Sequence, residues 1–265
     1  MATMLPERHI GAVNWVGLGT LYGKECRRFF KVWLQTIVAP TITSMLFLAV
    51  FALAIGRVMP EIGGVSFLQF MAPGLIVMAM MQNSFANTSS SLMISKVQGN
   101  VVDVLMPPLS PGELLIGFAM GGMSRGLVVA LVLSLVMLPF VHLEVHHFGF
   151  LLLYALGASL MLSLMGLLTA IWAEKFDQLA AVTNFIITPL AFLSGTFYSI
   201  ERLPEPLLTA SQFNPFFYLI DGFRYGMIGH ADGSLAVGAA VVVGCVVVMW
   251  LICLKILIKG YRLKA

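Results

Sequence analysis

Apolar residues gather in six long stretches of the chain, Leu34 to Gly56, Phe67 to about Ile94, Leu114 to Leu138, Phe148 to Trp172, Leu179 to Ile200 and Leu235 to about Ile258. A helix needs about 20 such residues to cross the hydrocarbon core of a bilayer, so the pattern predicts six spanning helices. Five of them carry no charge before their last few residues, and the third contains Arg125. Ahead of the first, Trp15, Leu18, Tyr22, Cys26, Phe29 and Trp33 recur at steps of three and four, while Lys24, Arg27, Arg28 and Lys31 fall on the opposite face. That spacing predicts an amphipathic helix over residues 15–33, lying in the membrane interface.

Two connecting segments have patterns of their own. Residues 95–113 read as a short helical stretch stopped by Pro107 and Pro108. Ser110 then caps a new helix, with Pro111 at its first position and Glu113 at its third. In residues 201–233 the apolar runs are too short to span, and Pro204, Pro206 and Pro215 interrupt them. The expectation is a re-entrant or interfacial segment before the last span. Eight aromatics lie between Phe197 and Tyr225. A belt at headgroup level is the favoured reading of them, and a substrate-stacking surface with Phe216 and Tyr218 is the other. Asp221 and Arg224 stand one helical turn apart and are predicted to pair.

Composition agrees with a membrane protein. Hydrophobic residues make up 59% and charged residues 10% of the chain, against about 25% charged in soluble domains, and the mean hydropathy is +0.96. A soluble enzyme is excluded. The formal net charge is only +3 and the basic residues sit near the ends of apolar runs, which speaks against a nucleic-acid partner. With the N-terminus inside, eleven Lys and Arg residues face the cytoplasm (Arg8, Lys24, Arg27, Arg28, Lys31, Lys96, Lys175, Lys255, Lys259, Arg262, Lys264) and three face out (Arg57, Arg202, Arg224). The imbalance predicts that both termini are cytoplasmic. No repeat or long linker divides residues 1–265, so one membrane domain is expected.

Familiar catalytic arrangements fail on spacing. Gly19-Thr-Leu-Tyr-Gly23-Lys24-Glu25 has three residues between its glycines where a phosphate loop needs four, and it ends in Glu. His142, Glu144, His146 and His147 are metal-ligating types, but they lie in a short loop without helical spacing, and solvated side chains are the default reading. No metal site is expected, and Cys26, Cys245 and Cys253 read as packing residues. The spans contain no Asp or Glu at mid-depth, which argues against an ion-coupled carrier. From Gly126 to Val141 the apolar run rises about 24 Å, placing Arg125 near the inner interface, where snorkelling would explain it. The second span carries Gln82, Asn83, Asn87, Ser90 and Ser91; hydrogen bonding between helices is the favoured explanation, with a substrate path through Asn83 and Asn87 as the alternative. Glycines at 117, 121, 122 and 126 permit close helix packing, and Pro40, Pro73 and Pro189 predict local kinks.

The order of parts resembles the type-2 ATP-binding cassette export permeases of bacteria over nearly the whole chain. The resemblance is carried by Phe70-Met-Ala-Pro-Gly-Leu75, by Leu105-Met-Pro-Pro-Leu-Ser-Pro-Gly-Glu-Leu114 and, most specifically, by Asn214-Pro-Phe-Phe-Tyr-Leu-Ile-Asp-Gly-Phe-Arg-Tyr-Gly226. Within the family it is similar to permeases related to nodulation-factor and polysaccharide exporters. The resemblance implies a half-transporter of the inner membrane, two permease copies with two ATPase subunits, ATP and Mg being bound by the ATPase and no cofactor by this chain. It assigns residues 95–103 to the coupling helix, with Lys96, Gln98 and Asp103 at the ATPase. The interface helix, through Lys24, Glu25, Arg28 and Lys31, would share that contact. Pro204 to Gly229 would narrow the outer exit. On this reading the expected cargo is a lipid, glycan or amphipathic small molecule. A membrane scaffold without transport of its own, or a secondary carrier, is the competing expectation.

Overall fold

The structure is a computed structural model that describes residues 11–54, 56, 61, 62, 64–200 and 203–260. Arg8, Arg57, Arg202, Arg262 and Lys264 of the charge count, and Glu201, lie outside the described residues, as do the side chains of Val104 and Leu105. Helix α1 (Trp15–Lys31) leads through a wide turn (Leu34–Val38) into α2 (Ala39–Ala54). A small antiparallel hairpin, β1 (Glu61–Ile62) and β2 (Val65–Ser66), pairs Ile62 with Val65 and precedes α3 (Phe67–Val97). Then follow α4 (Val101–Leu105), α5 (Pro111–Met137), α6 (Phe148–Trp172), α7 (Phe176–Val182), a second wide turn (Thr183–Ile187), α8 (Thr188–Leu193), α9 (Glu205–Gln212), α10 (Pro215–Ile228) and α11 (Leu235–Lys259). The chain is a helical, multi-pass membrane protein.

Five stretches among the described residues are long and apolar enough to cross a membrane: Leu34–Ala54, Pro111–Met137, Phe148–Trp172, Phe176–Leu193 and Leu235–Lys259. The predicted second span is α3, whose 31 residues are long enough but diluted by Gln82, Asn83, Asn87 and the Thr88–Ser91 run. Its neighbours explain the polarity. Helix α3 packs against α6 and α5 on its long sides and against α10 and α2 elsewhere, so nearly all of its surface meets protein, where polar side chains find partners. Phe70, Met71, Leu75, Ile76, Met80, Met81 and Phe85 form the centre of the core. Close approach depends on small residues in α5. A Cβ at Gly122 would strike Ser163 and Thr88, and one at Gly126 would strike Ser84 and the Met80 carbonyl. The glycine pattern therefore serves packing within the subunit.

A wide turn precedes the proline of both α2 and α8. Pro40 and Pro189 each stand two residues after a wide turn, where Ala39 N–H donates to the Leu34 carbonyl and Thr188 N–H to that of Thr183, five residues back. Because proline cannot donate, one extra residue per turn re-registers the ladder around it. The expected fifth span, 179–200, is corrected in its bounds. The helix runs from Phe176 to Leu193 and stops before Gly195, whose φ of +75° is left-handed; residues 194–200 then turn back into the protein, with Phe197 and Ile200 buried.

Helix α1 also differs from expectation. It packs lengthwise along α5, Leu21 over Gly117 and Glu25 over Gly121, and its buried residues are Leu21, Glu25 and Phe29. Trp15, Tyr22 and Trp33 of the predicted apolar stripe are exposed, and Arg28 of the predicted outer face turns inward. The stripe was rotated because apolar residues toward lipid and apolar residues toward protein give the same periodicity.

Candidate functional site

The ends of α1, α3, α5, α6 and α11 that carry most of the lysines and arginines form one basic end of the bundle. Here Asn14 ties α1 to the connection before α5. Its backbone N–H donates to Glu113 Oε1 at 2.5 Å and its Nδ2 to the Pro108 carbonyl at 3.1 Å, while its Oδ1 caps α1 by accepting from Gly17 N–H. Glu113 also accepts from Ser110 N–H, and Ser110 Oγ accepts from Glu113 N–H, the capping box predicted from their spacing. Between α1 and this connection lies a groove of about 300 Å³ lined by Gly17, Thr20, Lys24, Asn100, Asp103 and Leu109. Asp103 sits in the first turn of α4 and is exposed, as are Gln98 and Lys31. Lys96 turns away from the groove. Its Nζ donates to the carbonyls of Ala170, Ile171 and Ala173 at 2.6–3.1 Å, closing the end of α6 where carbonyls lack helical partners.

Deeper in, a polar seam joins α1, α3 and α5. Glu25 is fully buried; it accepts from Ser91 Oγ at 2.6 Å and Asn87 Nδ2 at 3.4 Å and pairs with Arg28 at 3.2 Å. Arg28 also donates to the Asn87 carbonyl and Oδ1 and to Ser90 Oγ. One turn along α3, Arg125 Nη2 donates to Asn83 Oδ1 at 2.9 Å, and Asn83 Nδ2 donates to the Ala79 carbonyl. Two expectations change. Arg125 is held by an interhelical hydrogen bond, so snorkelling does not describe it. The spans are free of mid-depth acids, yet a buried carboxylate enters the seam from α1, which periodicity had not assigned to the interior. The i, i+4 ridge Leu21, Glu25, Phe29 was the signal available for that.

Beside the seam, α2 and α3 enclose a crevice of about 280 Å³. Gln35, Thr43, Ser44, Gln82 and Asn83 line its polar part, and Phe47, Leu75 and Met78 its apolar part. On α3 the partly exposed positions Gln82, Ala86 and Ser90 recur every four residues and make one stripe. Gln35, Thr43 and Ser44 were not singled out from the sequence, since scattered polar residues in an apolar run carry no spacing signal. Of the path candidates, Asn83 borders the crevice, Asn87 is fully buried in the seam, Phe216 is 3% exposed and Tyr218 is half-buried.

At the opposite end, the polar residues and glycines of the Asn214–Gly226 string each have a structural role. Asn214 caps α10 by accepting from Phe216 N–H and donates through Nδ2 to the Leu190 carbonyl and Ser194 Oγ. Gly222 admits the Tyr154 ring and Gly226 the α6 backbone at Leu151. Arg224 is buried beneath, its guanidinium 3.9 Å from the Phe70 ring centroid, donating to the carbonyls of Phe70 and Gly195. Its predicted partner Asp221 stands 4.0 Å away and accepts from the backbone of Asp232 and Gly233. Burial raises the Asp221 carboxyl and lowers Arg224. Burial also pushes Asp232 upward, but hydrogen bonds from His230 and Ser199 and the Arg224 charge outweigh it and leave Asp232 below the usual carboxylate range. The aromatic belt is corrected here: Phe216, Phe217 and Phe223 are core residues, and Phe213 is the exposed one. His142 pairs with Glu144 in solvent, while His146 meets Tyr225 edge-on and His147 caps α6.

The groove, seam and capped α10 all fall within residues 17–228, which match the sequence pattern of the family described as "ABC-2 type transporter". The chain belongs to the ABC-2 type transporter permease family. This permease is 37% identical over 251 residues to the "Inner membrane transport permease YadH" of Escherichia coli (strain K12), covering 95% of this chain and 98% of that one. It is 24% identical over 237 residues to "Nodulation protein J" of Rhizobium leguminosarum bv. trifolii, with 83% of each chain covered. To the protein of that name from Rhizobium leguminosarum bv. viciae it is 23% identical over 260 residues, 91% and 93% being covered.

Proposed function

We propose that this permease is the membrane subunit of an ATP-driven exporter of the bacterial inner membrane. It works as a pair of copies with two ATPase subunits that bind ATP and Mg, and it carries a lipid, glycan or amphipathic small molecule outward. The whole chain forms one transmembrane domain in which α3 is a sixth span, although five helices qualify on hydropathy. The basic end faces the cytoplasm with both termini, and α9 and α10 are the re-entrant outer segment. One observation carries the reading. The groove between α1 and the α4 connection presents Asp103 and Lys24 on a base held rigid by Asn14, Glu113 and Ser110, which is what a surface must have to pass on a partner's motion. The interface helix shares this surface through Lys24 and Lys31. Gln98 and Asp103 are the contacting residues of the coupling segment, and Lys96 supports it from behind. The cargo path follows the α3 stripe and the crevice, so Asn83 borders it directly, Asn87 stands behind it, and Tyr218 and the buried Phe216 belong to its outer closure.

The test is co-purification of the tagged permease in mild detergent, with mass spectrometry of retained chains and an ATP hydrolysis assay. A stoichiometric ATP-binding cassette subunit and hydrolysis are expected; an inactive homo-oligomer under partner-retaining conditions sinks the reading in favour of a scaffold. Asp103→Lys is expected to lower hydrolysis several-fold while leaving expression intact.

A further inference from the structure

We infer that the seam between α1, α3 and α5 binds the anionic group of an amphiphile, a phosphate or carboxylate, between Arg28 and Arg125, with its apolar chain in the adjoining α2/α3 crevice. This deepens the proposed function by giving its cargo site a chemical class.

Charge is the first argument. Glu25, Arg28 and Arg125 leave the seam with one positive charge in excess. No Asp or Glu occurs in α2, α3, α6 or α11, and the one in α5, Glu113, is committed to Asn14 and Ser110. The carboxylate of Glu25 answers Arg28. Among the described residues, the hydrogen bond of Arg125 goes to the neutral amide oxygen of Asn83, which answers no charge, and a cation largely withdrawn from water is costly until an anion joins it.

Donors point the same way. Among the described residues, the buried side-chain polar atoms without a partner are Arg28 Nε, Ser84 Oγ and Arg125 Nε. All three can donate, and all three lie in this seam: Ser84 packs at Gly126 next to Arg125, and Arg28 and Arg125 reach α3 at Asn87 and Asn83, one turn or about 6 Å apart. Guanidinium groups so placed favour a multi-oxygen acceptor such as phosphate or carboxylate. A neutral hydroxyl would leave the charge unanswered.

Access and polarity fix the rest of the ligand. The Arg28 side chain remains 25% exposed and contacts Ser90 on the partly exposed stripe of α3. Seam and crevice meet at Asn83, which accepts from Arg125 and lines the crevice together with Gln82, Phe47, Leu75 and Met78. Polar seam and apolar crevice thus follow one another, in the order of a charged head and a hydrocarbon tail. Such a molecule can come from the cargo pool or from the inner leaflet.

The experiment uses the full chain in dodecyl maltoside, without ATPase or ATP, so its failure is separate from failure of the export reading. Thermal unfolding is followed with added dodecyl phosphate, with dodecanol and with inorganic phosphate. Dodecyl phosphate is expected to raise the melting temperature by roughly 5 °C, dodecanol and inorganic phosphate by much less. The rise should fall by more than half in Arg125→Gln and be partly kept in Arg125→Lys. Equal shifts from dodecyl phosphate and dodecanol in the unaltered protein overturn the site, whatever the variants do, and so does a full shift in Arg125→Gln. Native mass spectrometry separates the sources. Phosphatidylglycerol retained by the purified chain and displaced by dodecyl phosphate identifies a leaflet lipid, and a dodecyl phosphate shift without retained lipid identifies cargo.

Discussion

Glu25 decides how α1 sits. Its carboxylate accepts from Ser91 and Asn87 of α3 and pairs with Arg28 of its own helix, and Gly121 leaves the space it occupies. Glu25→Gln keeps the shape but leaves Arg28 without its counter-ion. A buried pair broken on one side costs about 3–5 kcal/mol, and the partial exposure of Arg28 brings the expectation to about 1–3 kcal/mol. Thermal unfolding in detergent should show this as a lower melting temperature, and an unchanged value would mean that α1 is held by Leu21 and Phe29 alone. At the far end, Asp232 is depressed and Asp221 raised. A depressed carboxyl contributes stability that is complete above its unfolded pKa and disappears as pH falls through its folded one; a raised carboxyl acts in the opposite sense. The stability difference between the unaltered protein and Asp232→Asn is therefore expected to shrink as pH falls through and below the ordinary carboxylate range. Melting curves at a series of pH values would show it, and a difference independent of pH would remove Asp232 from the account.

Elements follow from these contacts. Helix α3 can be polar because α5 and α6 come close enough to enclose it, and Gly122 and Gly126 set that distance. Gly122→Leu is expected to abolish a folded, monodisperse subunit, whereas Gly244→Leu, at a position with nothing within 4 Å, should leave it intact. Equal size-exclusion profiles for the two would contradict the packing described. The long helices were legible in the sequence because each apolar run exceeds a bilayer's thickness. The capping box at Ser110 and Glu113 was legible because its spacing is local. What periodicity does not carry is the direction of a face. Residues Leu21, Glu25 and Phe29 and the exposed aromatics of α1 lie on adjacent sides of one helix, and only the glycines of a distant segment show which side meets protein. Arg224 shows the same limit: its pairing with Asp221 was readable at i, i+3, but its stacking on Phe70 joins residues far apart in sequence.

For the whole molecule, α1, the wide turn and α2 form an almost unbroken line from the groove to the crevice wall, with α3 touching both. A displacement at the basic end therefore has a direct route to the crevice, and Arg28, bonded to Asn87 and Ser90, couples α1 to α3 along it. The uncovered stripe has a further consequence, for the cell's handling of the protein. In a copy with nothing laid over this stripe, Gln35 and Gln82 stay uncovered, and polar groups that meet hydrocarbon without partners are costly. Such a copy is expected to be turned over faster by membrane proteases. Its half-life in cells, followed after synthesis is stopped, is expected to lengthen when Gln82 is replaced by Leu; an unchanged half-life would mean that the stripe plays no part in turnover.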